Sequence, residues 1–139
     1  MASTAKRATA TAVAAVTAFG VLLNNGYLRI YDSTGGTGQP ATADTAIGSQ
    51  ILLAELRFAA TAFASYTGGV ATAGAITAGT GLDTKTATWF RALASNGTTV
   101  VYDGGVGTSG ADLNLNTTSI VTGAAVSVTS LTITEALNA

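Results

Sequence analysis

Thr84-Lys-Thr-Ala-Thr-Trp-Phe-Arg-Ala-Leu93, Ala94-Ser95-Asn96-Gly97, Thr98-Thr-Val-Val-Tyr102 is the stretch on which the fold turns. Both flanks are rich in β-branched and aromatic residues, which fit the pleated, half-buried surface of a strand. Asn96-Gly97 between them is a hairpin signal, because both residues tolerate the positive φ that a tight turn demands. The spacing predicts two antiparallel strands, 84–93 and 98–102, joined at that turn. Side chains alternate across a strand, so Trp89 and Phe90 take opposite faces, and Trp89 is expected in the core.

The same alternation recurs on either side. Tyr27, Arg29 and Tyr31 alternate with Leu28 and Ile30, and over Ile51 to Phe58 the residues Leu52, Ala54, Leu56 and Phe58 share a face opposite Glu55 and Arg57. Val70 to Ala78 is a weaker strand, followed by Leu113 to Leu115, Ile120-Val121 and Val126 to Ile133. Val126 and Val128 have one parity and Leu131 and Ile133 the other, which calls for a bulge or a crossing near Thr129-Ser130. Residues 33–48, with Gly35, Gly36, Gly38 and the only proline, Pro40, read as a long loop. Ahead of the strands, residues 5–23 read as a helix with Val13, Val16, Gly20 and Leu23 along one stripe, closed by Asn24, Asn25 and Gly26. The expected architecture is mainly β: a jelly-roll-like antiparallel β-sandwich with one N-terminal α-helix. It forms a single domain over 1–139, with the helix at 5–23 and the sandwich at 26–139.

Composition narrows the chemistry. Only 9% of the 139 residues are charged, against about 25% in an ordinary soluble domain. The formal net charge is −1, and histidine and cysteine are both absent. Thiolate metal sites and histidine-activated nucleophiles are therefore excluded, and we expect neither an enzyme nor a bound cofactor. Six scattered basic residues cannot form a phosphate-neutralising stripe, so no nucleic-acid partner is expected. Lys6 and Arg7 ahead of Ala8 to Leu23 imitate a secretory signal, but the stretch is rich in threonine and lacks an A-x-A site after Leu23. It also falls short of the roughly 20 apolar residues of a spanning helix, so no membrane partner is expected. A surface of Ala, Thr, Ser, Gly and Asn with little charge repulsion suits a protein that is covered by neighbours.

Two patterns that could carry chemistry fail on context. Gly105-Val-Gly107-Thr-Ser-Gly110 matches G-x-G-x-x-G, but Ala111 to Asn116 alternates like a strand and opens no helix to hold a pyrophosphate. Glu55, Asp83, Asp103 and Asp112 offer carboxylates for glycoside hydrolysis, yet nothing in the spacing groups them. The remaining candidates are contact residues, since Tyr, Trp and Arg dominate interface hot spots. They are Val13, Val16, Phe19 and Leu23 of the helix, Pro40 of the loop, and Tyr27, Arg29, Tyr31, Arg57, Tyr66 and Tyr102 of the strands.

Gly26-Tyr-Leu-Arg-Ile-Tyr31, Gln39-Pro-Ala-Thr-Ala-Asp44, Leu53-Ala-Glu-Leu56, Thr88-Trp-Phe-Arg91, Asn96-Gly-Thr-Thr-Val100 and Asp112-Leu-Asn-Leu115 occur in that order over most of the chain. Taken together they resemble small virion structural proteins of tailed bacteriophages, the head cement or capsid decoration proteins encoded near the major capsid protein. The resemblance implies a jelly-roll-like domain made in the host cytoplasm and carried on the capsid exterior of the virion. There it would bind the major capsid protein and itself, as a homodimer or trimer, and clamp neighbouring capsid subunits. The helix at 5–23 and the loop at 33–48 are the expected inter-subunit contacts, so deleting residues 2–20 is expected to release the protein from particles. The competing expectation is a tail or surface adhesin, a carbohydrate-binding module that stacks sugars on Tyr and Trp platforms.

Overall fold

The hairpin expected over 84–102 forms over 89–107, with residues 85–86 paired to 119–120 instead, and its turn needs a left-handed residue at one position only. The computed structural model describes residues 8–33, 38–67 and 69–134. Gly97 N–H donates to Ala94 O at 2.9 Å and Gly97 takes φ 72°, whereas Asn96 stays at negative φ. The Asn96 side chain instead accepts the Thr98 and Thr99 N–H groups at 2.9 and 2.8 Å, an Asx turn that ties the corner together.

Around this hairpin the described residues form one helix, α1 (Thr9–Val21), and thirteen strands. The longer strands are β1 (Tyr27–Tyr31), β2 (Leu52–Phe58), β3 (Phe63–Thr67), β4 (Val70–Ala73), β8 (Trp89–Leu93), β9 (Val100–Gly107), β10 (Leu113–Leu115) and β13 (Val128–Thr134). Two-residue strands fill the gaps: β5 (Ile76–Thr77), β6 (Gly79–Thr80), β7 (Lys85–Thr86), β11 (Ser119–Ile120) and β12 (Ala125–Val126). Nine of the strands make one curled sheet in the order β3-β4-β13-β10-β9-β8-β1-β2-β5. Its pairs are antiparallel except β9 with β10, where Leu113 and Asn114 run alongside Val106 and Gly107. The ribbons β7–β11 and β6–β12 stand outside that sheet, with β6 against β2. The fold is thus mainly β with one N-terminal helix, of the β-sandwich or jelly-roll-like class.

Leu28, Ile30, Leu56, Phe90, Leu113 and Leu131 point into one core and are at most 1% exposed. Helix α1 docks over β3, β4 and β13 through Ala12, Val16 and Gly20. Gly20 permits this approach: a Cβ there would stand 2.5 Å from the Tyr66 hydroxyl oxygen and 3.1 Å from the Phe63 ring. Of the expected helix over 5–23, residues 5–7 lie outside the described residues. At the other end the helix stops at Val21, because Leu23 N–H turns back to Gly20 O and Asn25 takes the left-handed φ of 58°.

Several expected details differ. Leu53 has the parity of Glu55 and Arg57, but β2 bulges there: Ile30 pairs with Ala54 and Tyr31 with Leu52, so Leu53 is left over and turns inward, fully buried. Strand β3 carries no β-branched run to announce it, and it forms a hairpin with β4. Strand β9 runs on to Gly107 and takes the first half of the G-x-G-x-x-G pattern into the sheet. The parity change in the last strand is met by a bulge at Thr129, since Asn114 pairs with Ser130 and Leu115 with Val128.

Candidate interaction face

The face of β2, β1, β8 and β9 turned away from Leu28, Ile30 and Phe90 carries most of the charge in the sheet. Register sets it in rows. Glu55 of β2 pairs with Arg29 of β1, Arg29 with Arg91 of β8, and Arg91 with Asp103 of β9. Two arginines directly opposite each other would repel. Each is neutralised on its far side: Arg29 Nε lies 2.7 Å from Glu55 Oε2, and Arg91 clasps Asp103 through two bonds of 2.7 and 2.9 Å.

Burial divides this row. The Arg91 and Asp103 side chains are each 4% exposed, while those of Arg29 and Glu55 are 29% and 38% exposed. The hydrogen bond to Asp103 raises the Arg91 pKa above its ordinary value, so the buried guanidinium stays charged. Beside it, the Tyr31 ring stacks on Trp89 with centroids 4.7 Å apart, and Trp89 Nε1–H donates to Asp32 O at 3.2 Å. The Arg91 guanidinium lies 5.6 Å from the Trp89 ring. Burial raises the Tyr31 pKa, against a lowering by Arg29 and Arg91.

At the exposed end, Arg57 Cζ lies over the Tyr27 ring, 3.9 Å from its centroid, and its Nη2 donates to Asn25 O at 3.0 Å. Arg29 approaches the same ring at 5.8 Å. Arg57 is thereby held by an aromatic face and a carbonyl, and among the described residues no carboxylate pairs with it. A guanidinium fixed in this way keeps free N–H groups for a partner and loses little rotamer freedom on binding.

The structure sorts the other contact candidates. Val16, Leu23 and Tyr31 are buried at 1%, 0% and 5% exposure, so the chain's own packing uses them and they are corrected from contact to core. Tyr102 is wedged between Phe19 and Phe90, each edge-on at 5.0 and 5.3 Å, which gives both Tyr102 and Phe19 an internal role. Val13, Pro40 and Tyr66 are half-buried, and Tyr66 packs beside Gly20. Because α1 supplies core residues, deleting residues 2–20 would damage the fold itself, and its expected release from particles would no longer report a surface contact.

Tyr27, Arg29 and Arg57 are the candidates that the fold brings together on one face. Asp103 and Glu55 belong with them as charge partners. The alternation in 51–58 sets Glu55 beside Arg57, but only the pairing of β1 with both β2 and β8 reveals the full row. A cleft of about 240 Å³, lined by Phe19, Tyr102, Asp103, Asp112 and Thr132, is smaller than the roughly 300 Å³ at which ligand pockets begin.

No family model, no curated protein and no solved structure matches this chain. The face must be read from its own chemistry. Its carboxylates are occupied by arginines, Asp83 accepts the neighbouring Thr84 N–H, and Asp112 accepts Gly105 N–H at 3.2 Å. Glu55, Asp83, Asp103 and Asp112 each have a structural bond, and what the face offers outward is a cationic, aromatic contact.

Proposed function

We propose that this protein is a virion structural protein, a capsid cement or decoration protein that binds the outside of a phage head and clamps neighbouring major capsid subunits. The observation that carries the proposal is the Tyr27–Arg57 stack, an ordered hot-spot pair on an otherwise neutral surface of small side chains. It is supported by the order of the short motifs along the chain and by the structural employment of Glu55, Asp83, Asp103 and Asp112. A clamp acts by linkage: it binds the assembled shell better than the alternatives and shifts the equilibrium toward it. Many identical weak contacts then add through multivalency.

The adhesin reading needs an exposed aromatic platform, and Trp89 and Tyr31 are 1% and 5% exposed while Tyr27 is covered by Arg57. The cement reading is therefore favoured. Purified particles resolved on a denaturing gel test it. A cement protein should be present in on the order of hundreds of copies, commensurate with the capsid protein, and Arg57→Ala should lower that occupancy. A handful of copies per particle would overturn the proposal in favour of a tail component.

A further inference from the structure

We infer that the β3 edge of the sheet is a self-association surface, on which a second copy of this chain adds its own β3 antiparallel about a two-fold axis. Strand β3 stands first in the sheet order and pairs only with β4, so alternate N–H and C=O groups along Phe63–Thr67 face away from the sheet. No hydrogen bond to other described residues engages that outer side.

Monomeric β proteins protect such edges with charge, proline or very short strands. The opposite edge, β5, is two residues long and so is protected by its length. Strand β3 is five residues long and lies within the 25 residues from Phe58 to Leu82, which contain neither a charged residue nor a proline. Its exposed side chains, Ala64, Ser65 and Thr67, are small, so nothing bulky keeps another backbone away. A bulge at Ala64 leaves Ser65 to Thr67 as the regular part of the edge.

Two observations select a second copy as the occupant. A strand meeting its own copy antiparallel presents matching donors and acceptors automatically, and here neither copy brings a charge to repel the other. Beside the edge, Val21 and Leu22 are 53% and 57% exposed, in the same helical turn as Gly20, which packs on Phe63 and Tyr66. The pairing would thus add backbone hydrogen bonds beside exposed apolar surface.

The capsid resemblance implies a homodimer or trimer but no surface for it; this inference assigns the surface, and the two fail separately: self-association is read on the purified chain, occupancy on particles. The chain has no native cysteine, so single cysteines report without background. Ala64→Cys, Ser65→Cys and Thr67→Cys are oxidised mildly, with Thr77→Cys on β5 as the control edge. Paired antiparallel strands hold facing Cα atoms about 4.5 to 5.5 Å apart, within disulfide reach. Light scattering should show a dimer, at least one β3 cysteine should cross-link it while Thr77→Cys does not, and Ser65→Lys/Thr67→Lys should raise the dimer Kd about tenfold or more. A monomeric wild-type chain, a dimer untouched by the two lysines, or cross-linking at Thr77→Cys equal to that on β3 would overturn the inference. If the lysine variant fails to fold, the cysteine comparison decides alone.

Discussion

Tyr102 is packed edge-on between Phe19 and Phe90, and its buried hydroxyl has no hydrogen-bond partner among the described residues. Burial, with a smaller contribution from the Asp112 charge, raises its pKa well above the ordinary 10.0, and burial raises those of Tyr31 and Tyr66 in the same direction. A folded-state pKa above the unfolded one means that the native chain holds its proton longer. Stability is therefore full below about pH 10 and falls as pH rises beyond it, where the unfolded tyrosines ionise. Tyr102→Phe removes a buried hydroxyl that has no bond to lose. Urea unfolding should show it unchanged or more stable by about 1 kcal/mol at pH 7, with a shallower loss above pH 10. A loss of more than about 1 kcal/mol at pH 7 would mean that the hydroxyl makes a bond.

Among the elements, the central strands β8 and β9 depend on close approach. All five residues of β8 are buried, and Phe90 sits against Gly104 of β9, where a Cβ would come within 2.6 Å of the Phe90 ring. Phe90 is fully buried and cannot swing aside, so Gly104→Ala should cost about 1 to 3 kcal/mol by overpacking. Gly105→Ala is the control, since its Cβ would meet nothing nearer than Asp112 Oδ2 at 4.0 Å. Denaturant midpoints of the two variants should separate, and equal midpoints would refute the steric account. The hairpin around Asn96-Gly97 was legible because its flanks and its turn agree locally, although residues 85–86 pair elsewhere, and the bulge at Thr129 was legible because it breaks a parity. Strand β3 was not, because the bulge at Ala64 breaks the alternation of Phe63-Ala-Ser-Tyr-Thr67, which is stabilised by β4 on one side and α1 on its face. The Glu55–Arg29–Arg91–Asp103 row was also hidden, since it spans four strands whose pairing depends on register rather than spacing. For the same reason Tyr31 looked available for contact, when Trp89 of the adjacent strand already covers one side of its ring.

For the whole molecule, α1 closes the β3–β4–β13 end of the sheet while Trp89 lies in the central strand β8, three strands beyond β13. If these parts share one cooperative core, the loss of helical far-UV signal and the change in Trp89 fluorescence should coincide in thermal or urea unfolding. An earlier loss of helix would show that α1 and its strands unfold as a separate unit. The strand order also has a consequence for synthesis. Strand β4 is flanked in the sheet by β3 and β13, and β13 is the last of the strands to be made. At roughly 5 to 20 residues per second on the ribosome, the β3–β4 hairpin waits for seconds before β13 joins it to the rest of the sheet. Throughout that interval both of its edges are open and neither carries a charge, so crowding of nascent chains is the hazard this topology builds in. Expression at low temperature and slow induction should favour soluble chains, because the vulnerable species is a half-made sheet and not the finished one.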